Sequence, residues 1–160
     1  MTCRPGSRLV PLVLRCLDLF VSPVDDDFAL KDCYVTATIR CVPPGNKPLP
    51  EEIENCRPYF LEELDLLKNI KIIVPLGHIA FNQTLRALRL KGFKIPPLSF
   101  GHSKVYEVST DEVLRTYNSQ LRTVSLVVTY HPSQQNTQTG KLTKPMFHQV
   151  FEIIQNIVRS

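Results

Sequence analysis

Short apolar segments alternate along this chain with longer segments whose apolar residues recur at helical spacing. β-Branched and apolar residues mark four strand-like segments, at 33–41, 71–77, 104–108 and 123–130. Helical signals mark three further segments: about 17 residues from Pro50, a stretch from about His78 to Leu90, and a last one that begins after a capping Thr143. This order predicts an α/β fold, with a largely parallel sheet and helices on both of its faces.

The loops that follow the carboxyl ends of the strands are where a ligand site is expected, because open α/β sheets bind ligands there. Three such loops begin at Cys41, Gly77 and His131, and they contain the sequences PPGNKP, GHIA and HPSQQNTQTG. We expect the three loops to lie on one rim of the sheet. The stretch GFKIPPLSFGHSK, at 92–104, is predicted to be a loop.

Composition narrows the class of protein. A chain of 160 residues, 43% of them hydrophobic, is long enough to bury the core of a single domain over 1–160. Its net charge of +4 is compatible with a polyanionic partner but does not by itself indicate one. The longest apolar stretches, LVPLVL and IIVPLG, fall well short of the roughly 20 residues that a membrane span requires. We therefore predict a soluble, cytoplasmic protein without a membrane segment.

The cysteines do not form a recognisable disulfide framework. There are five of them, and an odd number in a chain of this length argues against a small secreted scaffold. Cys41 and Cys56 lie in polar, proline-marked surroundings, RCVPPGNKP and ENCRPYF, where a core cysteine is less expected. These two residues are therefore set apart from a cysteine buried in a core.

Four separated segments resemble a known family in the same order and spacing: YVTATIRCVPPGNKPLPEEIENC, VPLGHIAF, FGHSKVY and TYHPSQQNTQTGKLTKPMF. Together they resemble the B-type, or family-five, branch of the iron–sulfur uracil-DNA glycosylases, from about residue 17 to the end. The resemblance implies an α/β/α sandwich around a four-stranded, mostly parallel sheet. It also implies a DNA-repair hydrolase that cleaves the N-glycosidic bond of uracil, with other deaminated bases as further candidates.

The resemblance further implies a 4Fe-4S cluster held by four cysteines, two of which match Cys41 and Cys56. Residues 1–16 do not match the family, and Cys3 and Cys16 lack the short spacing of its first cysteine pair. Its glycine-rich catalytic loop is also not found. We therefore expect the first strand and two cluster ligands to be missing from a chain that starts inside the fold.

Two residues are the candidate catalytic groups. His131, at the end of a strand, can donate a hydrogen bond to the base carbonyl oxygen on which negative charge grows during cleavage, and the resemblance assigns it that role. Asn46 is the second candidate, because the family-five pattern places an asparagine of this loop beside the base. The alternatives are a histidine satisfied in the core and an ordinary turn at PGNK, since Gly and Asn tolerate positive φ.

The loop after His131 is the candidate DNA-contact element, because side-chain amides and hydroxyls suit phosphates and base edges. The residues expected to enter the minor groove or to meet phosphates are Pro132, Ser133, Gln134, Gln135, Asn136, Lys141 and His102. For His102 a structural role in its loop is the alternative.

Three functions remain open at this point. The first is a uracil-DNA glycosylase, expected to be a monomer whose partner is DNA containing uracil or another deaminated base. The second is a noncatalytic DNA-binding remnant of that family. The third is a nucleotide-binding α/β protein with Cys41 and Cys56 in a zinc site, against which the absence of G-x-G-x-x-G and of the P-loop pattern argues.

Overall fold

The computed structural model describes residues 33–40, 48–67, 69–110 and 123–159. The elements in these ranges are α1 (Pro50–Leu66), β1 (Ile72–Ile73), α2 (Gly77–Leu90), β2 (Phe93–Lys94), β3 (Lys104–Thr110), β4 (Thr123–Val128), α3 (Gln134–Gln138) and α4 (Lys144–Arg159). The α/β class is confirmed. None of the helices within these ranges is long and apolar enough to cross a membrane.

The four strands form one mixed sheet in the order β1, β4, β3, β2. β1 is parallel to β4, with Ile72 opposite Ser125, and a bridge between Leu76 and Thr129 continues this pairing beyond the strands. The other two pairs, β3 with β4 and β2 with β3, are antiparallel. A four-stranded α/β sheet is confirmed for the described residues; one of its three strand pairs is parallel, and that pair ends at the two predicted rim loops.

Helices cover both faces of the sheet, because alternate residues of β4 point to opposite sides. Leu126 and Val128 belong to a cluster on one side that includes Phe81, Leu85 and Leu88 of α2. Val127, which lies between them in sequence, belongs to the other cluster, with Val150 and Ile154 of α4. α1 packs on α2 through Phe60, Leu64 and Ala87. The expected three layers are therefore present.

The helix ends follow the sequence signals. Pro50 begins α1, where its missing N–H costs nothing, and the Glu52 carboxylate accepts the Leu49 backbone N–H at 2.8 Å. Thr143 caps α4, as predicted, because its Oγ1 accepts the Met146 N–H at 3.4 Å. α4 is the most clearly amphipathic of these helices, and this explains why the sequence located it well.

Three predictions of secondary structure are wrong. The segment 33–40 carries no strand, while Cys41, the last residue of the predicted strand, lies outside the described residues. The predicted loop at 92–104 contains β2, which pairs with β3, and HPSQQNTQTG contains the short helix α3. The conformation of each of these three segments depends on the groups that form hydrogen bonds with it, and β propensity alone does not specify those groups.

Candidate active site

The carboxyl ends of β1 and β4 are joined by backbone hydrogen bonds that bring their loops together. The Thr129 N–H donates to the Pro75 carbonyl at 3.4 Å, and the Gly77 N–H donates to the Thr129 carbonyl at 2.9 Å. The loops GHIA and HPSQQNTQTG therefore share one rim, as the sequence predicted. The third predicted rim loop, PPGNKP, lies outside the described residues except for its last proline.

Gly77 and His131 are in direct contact across this rim. Gly77 is buried and has a φ of +89°, and a Cβ atom placed on it would lie 3.0 Å from the His131 Cβ. Another residue at this position would be strained by its φ and would also push against the His131 side chain. Gly77 therefore leaves the space that the His131 side chain occupies, although the sequence marked it only as the start of a loop.

His131 is half-buried, and this burial lowers the pKa of its imidazole. The ring is therefore neutral at neutral pH, with one nitrogen as a hydrogen-bond donor and the other as an acceptor. The backbone of the same residue is held as well, because its carbonyl accepts the Ser133 N–H at 2.8 Å and the Asn136 Nδ2 at 2.8 Å. The site presents a neutral donor on a fixed backbone.

Ser133 and Asn136 shape the loop that follows His131. Ser133 is the N-cap of α3, and its Oγ accepts the Asn136 N–H at 3.2 Å. The Asn136 carbonyl then accepts the Leu142 N–H at 3.0 Å, which ties the far end of the loop back to its start. Gln134 and Gln135 are exposed in the first turn of α3. These two amides are among the exposed side chains of the loop, together with Thr137, Gln138 and Thr139.

Aromatic rings support the rim beneath this loop. The Tyr130 ring lies 5.8 Å from that of Phe100 and is stacked on the His102 ring at 5.4 Å. The ammonium group of Lys141, which is exposed, lies 5.1 Å from the centre of the Tyr130 ring, within the range of a cation–π contact. Tyr130 therefore holds Lys141 next to the rim, a role that sequence reasoning did not predict.

His102 is directed into the fold. Its Nδ1 lies 2.9 Å from the Oγ1 of Thr129, which is itself fully buried. Its Nε2 is also buried and makes no hydrogen bond of normal geometry within the described residues. Burial lowers the pKa of His102, and the Met146 carbonyl partly opposes this shift. These contacts agree with a structural role of His102 in its loop, which the sequence left open as an alternative.

Cys56 is the predicted metal ligand that the structure describes. It is buried on α1, and its Sγ accepts the Arg40 backbone N–H at 3.4 Å. Thiolates with such N–H donors are suitable ligands of iron–sulfur clusters. Within the described ranges, no group of three or more His, Cys, Asp or Glu side chains is arranged to hold a metal.

A family model described as "Uracil DNA glycosylase superfamily" matches residues 2–155. The chain belongs to the uracil-DNA glycosylase superfamily. It is similar to the type-5 uracil-DNA glycosylase of Thermus thermophilus, with 38% identity over 125 residues, covering 78% of this chain and 50% of that protein. It is also similar to the type-5 enzyme of Mycobacterium bovis, with 36% identity over 153 residues, covering 92% of this chain and 52% of that protein.

Relatives of a second type match as well. A type-4 uracil-DNA glycosylase from Archaeoglobus fulgidus is 30% identical over 104 residues, covering 64% of this chain and 46% of that protein. The type-5 similarity supports the family-five branch of the predicted resemblance. The chain spans about half the length of the curated relatives it matches.

The structure places the predicted site residues of this superfamily member in two regions. The rim brings together His131 and the predicted contact residues, which are Pro132, Ser133, Gln134, Gln135, Asn136, Lys141 and His102. Cys56 lies on α1, which packs on α2. Asn46 and Cys41 lie outside the described residues, so their predicted roles rest on the sequence.

Proposed function

We propose that this chain carries the base-excision function of its superfamily and removes uracil from DNA by hydrolysis of the N-glycosidic bond. The observation that carries the proposal is the position of His131, a half-buried neutral imidazole packed against Gly77 at the rim of the sheet. We place the flipped base at this rim. Relatives named type-5 uracil-DNA glycosylases support the same substrate.

His131 acts on the departing base. As the glycosidic bond lengthens, its electron pair moves onto the base and negative charge grows on a carbonyl oxygen. An imidazole N–H held near that oxygen makes a hydrogen bond that strengthens as the charge grows, so it stabilises the transition state more than the bound substrate. A neutral donor also leaves the resting site without a buried positive charge, which would be costly.

Asn46 is proposed to select the base. It belongs to a loop whose sequence, PPGNKP, is predicted to reach the same rim, and its amide offers both a donor and an acceptor to a Watson–Crick edge. Replacing Asn46 with Ala is expected to change which deaminated bases are excised as well as the rate.

The helix α3 and Lys141 are proposed to contact DNA. Gln134 and Gln135 are exposed beside His131, and Lys141 is held at the rim by Tyr130, where its charge can meet a phosphate. Ser133, Asn136 and Pro132 give the loop its shape. His102 has contacts with Thr129 and Tyr130 that favour a supporting role within the rim.

Cys41 and Cys56 are proposed as two of the cysteine ligands of a 4Fe-4S cluster. When bound, such a cluster supplies a crosslink between the chain segments that carry its cysteines. The chain's own contribution is a buried sulfur that already accepts a backbone N–H. Iron and sulfide content per chain, measured with and without Cys56→Ser in a preparation of the unsubstituted chain that contains bound iron, tests this assignment. Iron content that does not respond to the substitution contradicts it.

The test of the proposed function is single-turnover excision from a duplex that contains one uracil. We expect His131→Ala to lower the rate by about 100-fold to 1000-fold, the usual effect of losing one preorganised donor, with little change in DNA affinity. The matched control is His148→Ala, since His148 is an exposed histidine of α4. Full activity of His131→Ala refutes the role. DNA binding without excision by the unsubstituted chain favours the noncatalytic remnant.

A second experiment tests the DNA-contact loop by affinity for uracil-containing duplex. We expect the pair Gln134→Ala and Gln135→Ala to weaken binding, while Asn156→Ala, an exposed amide on α4, does not. Lys141→Ala should reduce the slope of log affinity against log salt by about 0.9, the value of one lost phosphate contact. Lys71→Ala is its control, because this exposed lysine precedes β1 at the opposite end of the strand.

A monomeric state and a cytoplasmic location remain predictions.

A further inference from the structure

The segment 33–40 is held in place by side chains of α1. The segment carries no strand, yet its side chains and backbone bond to one face of the helix. The α1 residues concerned are Cys56, Tyr59 and Glu63, which are three and four positions apart and therefore lie along one side of the helix. Individual contacts with α1, and not strand pairing, therefore hold this segment. We call the contacts of the segment 33–40 with Cys56, Tyr59 and Glu63 the clamp.

Glu63 makes most of these contacts. Its carboxylate accepts hydrogen bonds from the Tyr34 hydroxyl at 3.0 Å, from the Thr36 hydroxyl at 2.6 Å and from the Arg40 guanidinium. The Glu63 side chain is only 12% exposed, so the ion pair with Arg40 is better shielded from water than a surface pair. Charge-assisted bonds of this kind are the stronger class of hydrogen bond. One carboxylate therefore anchors three residues of the segment.

The anchored segment ends beside Cys56. The Arg40 guanidinium lies 5.0 Å from the centre of the Tyr59 ring, while its backbone N–H donates to the Cys56 Sγ at 3.4 Å. The next residue is Cys41, and residues 41–47, which include Asn46, follow. Contacts with α1 therefore hold Arg40, the last residue of the segment, in place.

We propose that Glu63 is a positioning residue that holds the chain entering the 41–47 loop against Cys56. Through Arg40 it keeps the end of the segment 33–40 against the Cys56 sulfur. That Cys56 is a cluster ligand rests on the proposed function. The clamp itself rests only on the contacts of Tyr34, Thr36, Arg40 and Glu63.

The experiment measures how fast N-ethylmaleimide modifies Cys56 in the full chain, with the modified cysteine located by peptide mass spectrometry. Glu63→Gln keeps the size of the side chain but removes its charge and one acceptor oxygen. We expect this change to raise the rate of Cys56 modification by about tenfold or more, because the buried thiol is then exposed by local opening of the clamp. Glu62→Gln, an exposed neighbour on α1, should leave the rate unchanged.

Low concentrations of urea separate local opening from global unfolding. A modification rate that is nearly independent of urea shows local opening and supports the clamp, whereas a rate that follows the full unfolding slope overturns it. An unchanged rate in Glu63→Gln overturns it too. Tyr34→Phe removes a single bond at a half-exposed residue, so it should fold and show a smaller increase. Failure of the proposed function appears instead as absent excision by the unsubstituted chain, which the labelling does not require.

Discussion

Replacing Gly77 with Ala tests whether the contact between this glycine and His131 positions the site. Two effects oppose the new methyl group. The backbone at position 77 has a φ of +89°, and this conformation costs an L residue about 1–2 kcal/mol. The added Cβ would also lie 3.0 Å from the His131 Cβ, closer than most such contacts in proteins, and both residues are held by backbone hydrogen bonds.

Gly140→Ala separates these two effects. Gly140 also has a positive φ, of +72°, but a Cβ atom added to it would meet nothing within 4 Å. It therefore incurs the conformational cost of about 1–2 kcal/mol alone. Overpacking in a close-packed region costs about 1–3 kcal/mol more, so Gly77→Ala should destabilise the protein by about 2–5 kcal/mol. At about 2–4 °C per kcal/mol for a chain of this size, the difference between the two variants is several degrees in Tm.

The assay is urea unfolding of the two variants and the unsubstituted protein, followed by single-turnover excision under conditions where all three are folded. We expect Gly77→Ala to lower excision, because the imidazole is displaced from its place at the rim, while Gly140→Ala retains it. A Gly77→Ala protein that loses no more stability than Gly140→Ala, or that excises uracil at the unsubstituted rate, refutes the argument that this contact positions His131.

Three other predictions concern pH, capping and the core. Burial places the folded pKa values of His131 and His102 below the usual 6.5, so the unfolded chain takes up protons at a higher pH than the folded protein does. The free energy of unfolding, measured by urea titration, should therefore fall as pH drops below about 6.5 and stay level above it. Ser133→Ala should cost about 0.5–2 kcal/mol in the same titration by removing the cap of α3, and an unchanged midpoint would contradict the cap. Leu88→Ala, at a fully buried position, should cost about 2–5 kcal/mol in thermal unfolding, and a loss below about 1 kcal/mol would show that the site collapses around the cavity.

Much of the fold could be predicted because periodic burial leaves a local record in the sequence. α2 and α4 repeat apolar residues at helical spacing, and the run TVSLVV in β4 is apolar enough to identify a buried strand. The amino end of α1 was equally clear, since proline and two glutamates mark a first turn. The rim shared by the loops after β1 and β4 followed from the parallel order of these strands.

The remaining features depended on partners far away in sequence. β2 has two residues and is a strand only because Phe93 and Lys94 pair with β3. The segment 33–40 has a strand-like pattern, but Glu63 of α1 bonds to its side chains instead. The role of Gly77 likewise depends on a contact with His131, and no local pattern encodes that contact.

The parallel pairing of β1 with β4 has a consequence for how the site forms. Ile72 and Ser125 are roughly fifty residues apart in sequence, and β2 and β3 lie between them along the chain. Pairing of strands that are so far apart in sequence requires a long loop to close, with a loss of chain entropy, before stabilising contacts form. This pairing is therefore expected late in folding. His131 reaches Gly77 only when that step is complete. A partly folded chain then lacks the assembled rim, and a ligand that binds there favours the fully folded molecule through mass action.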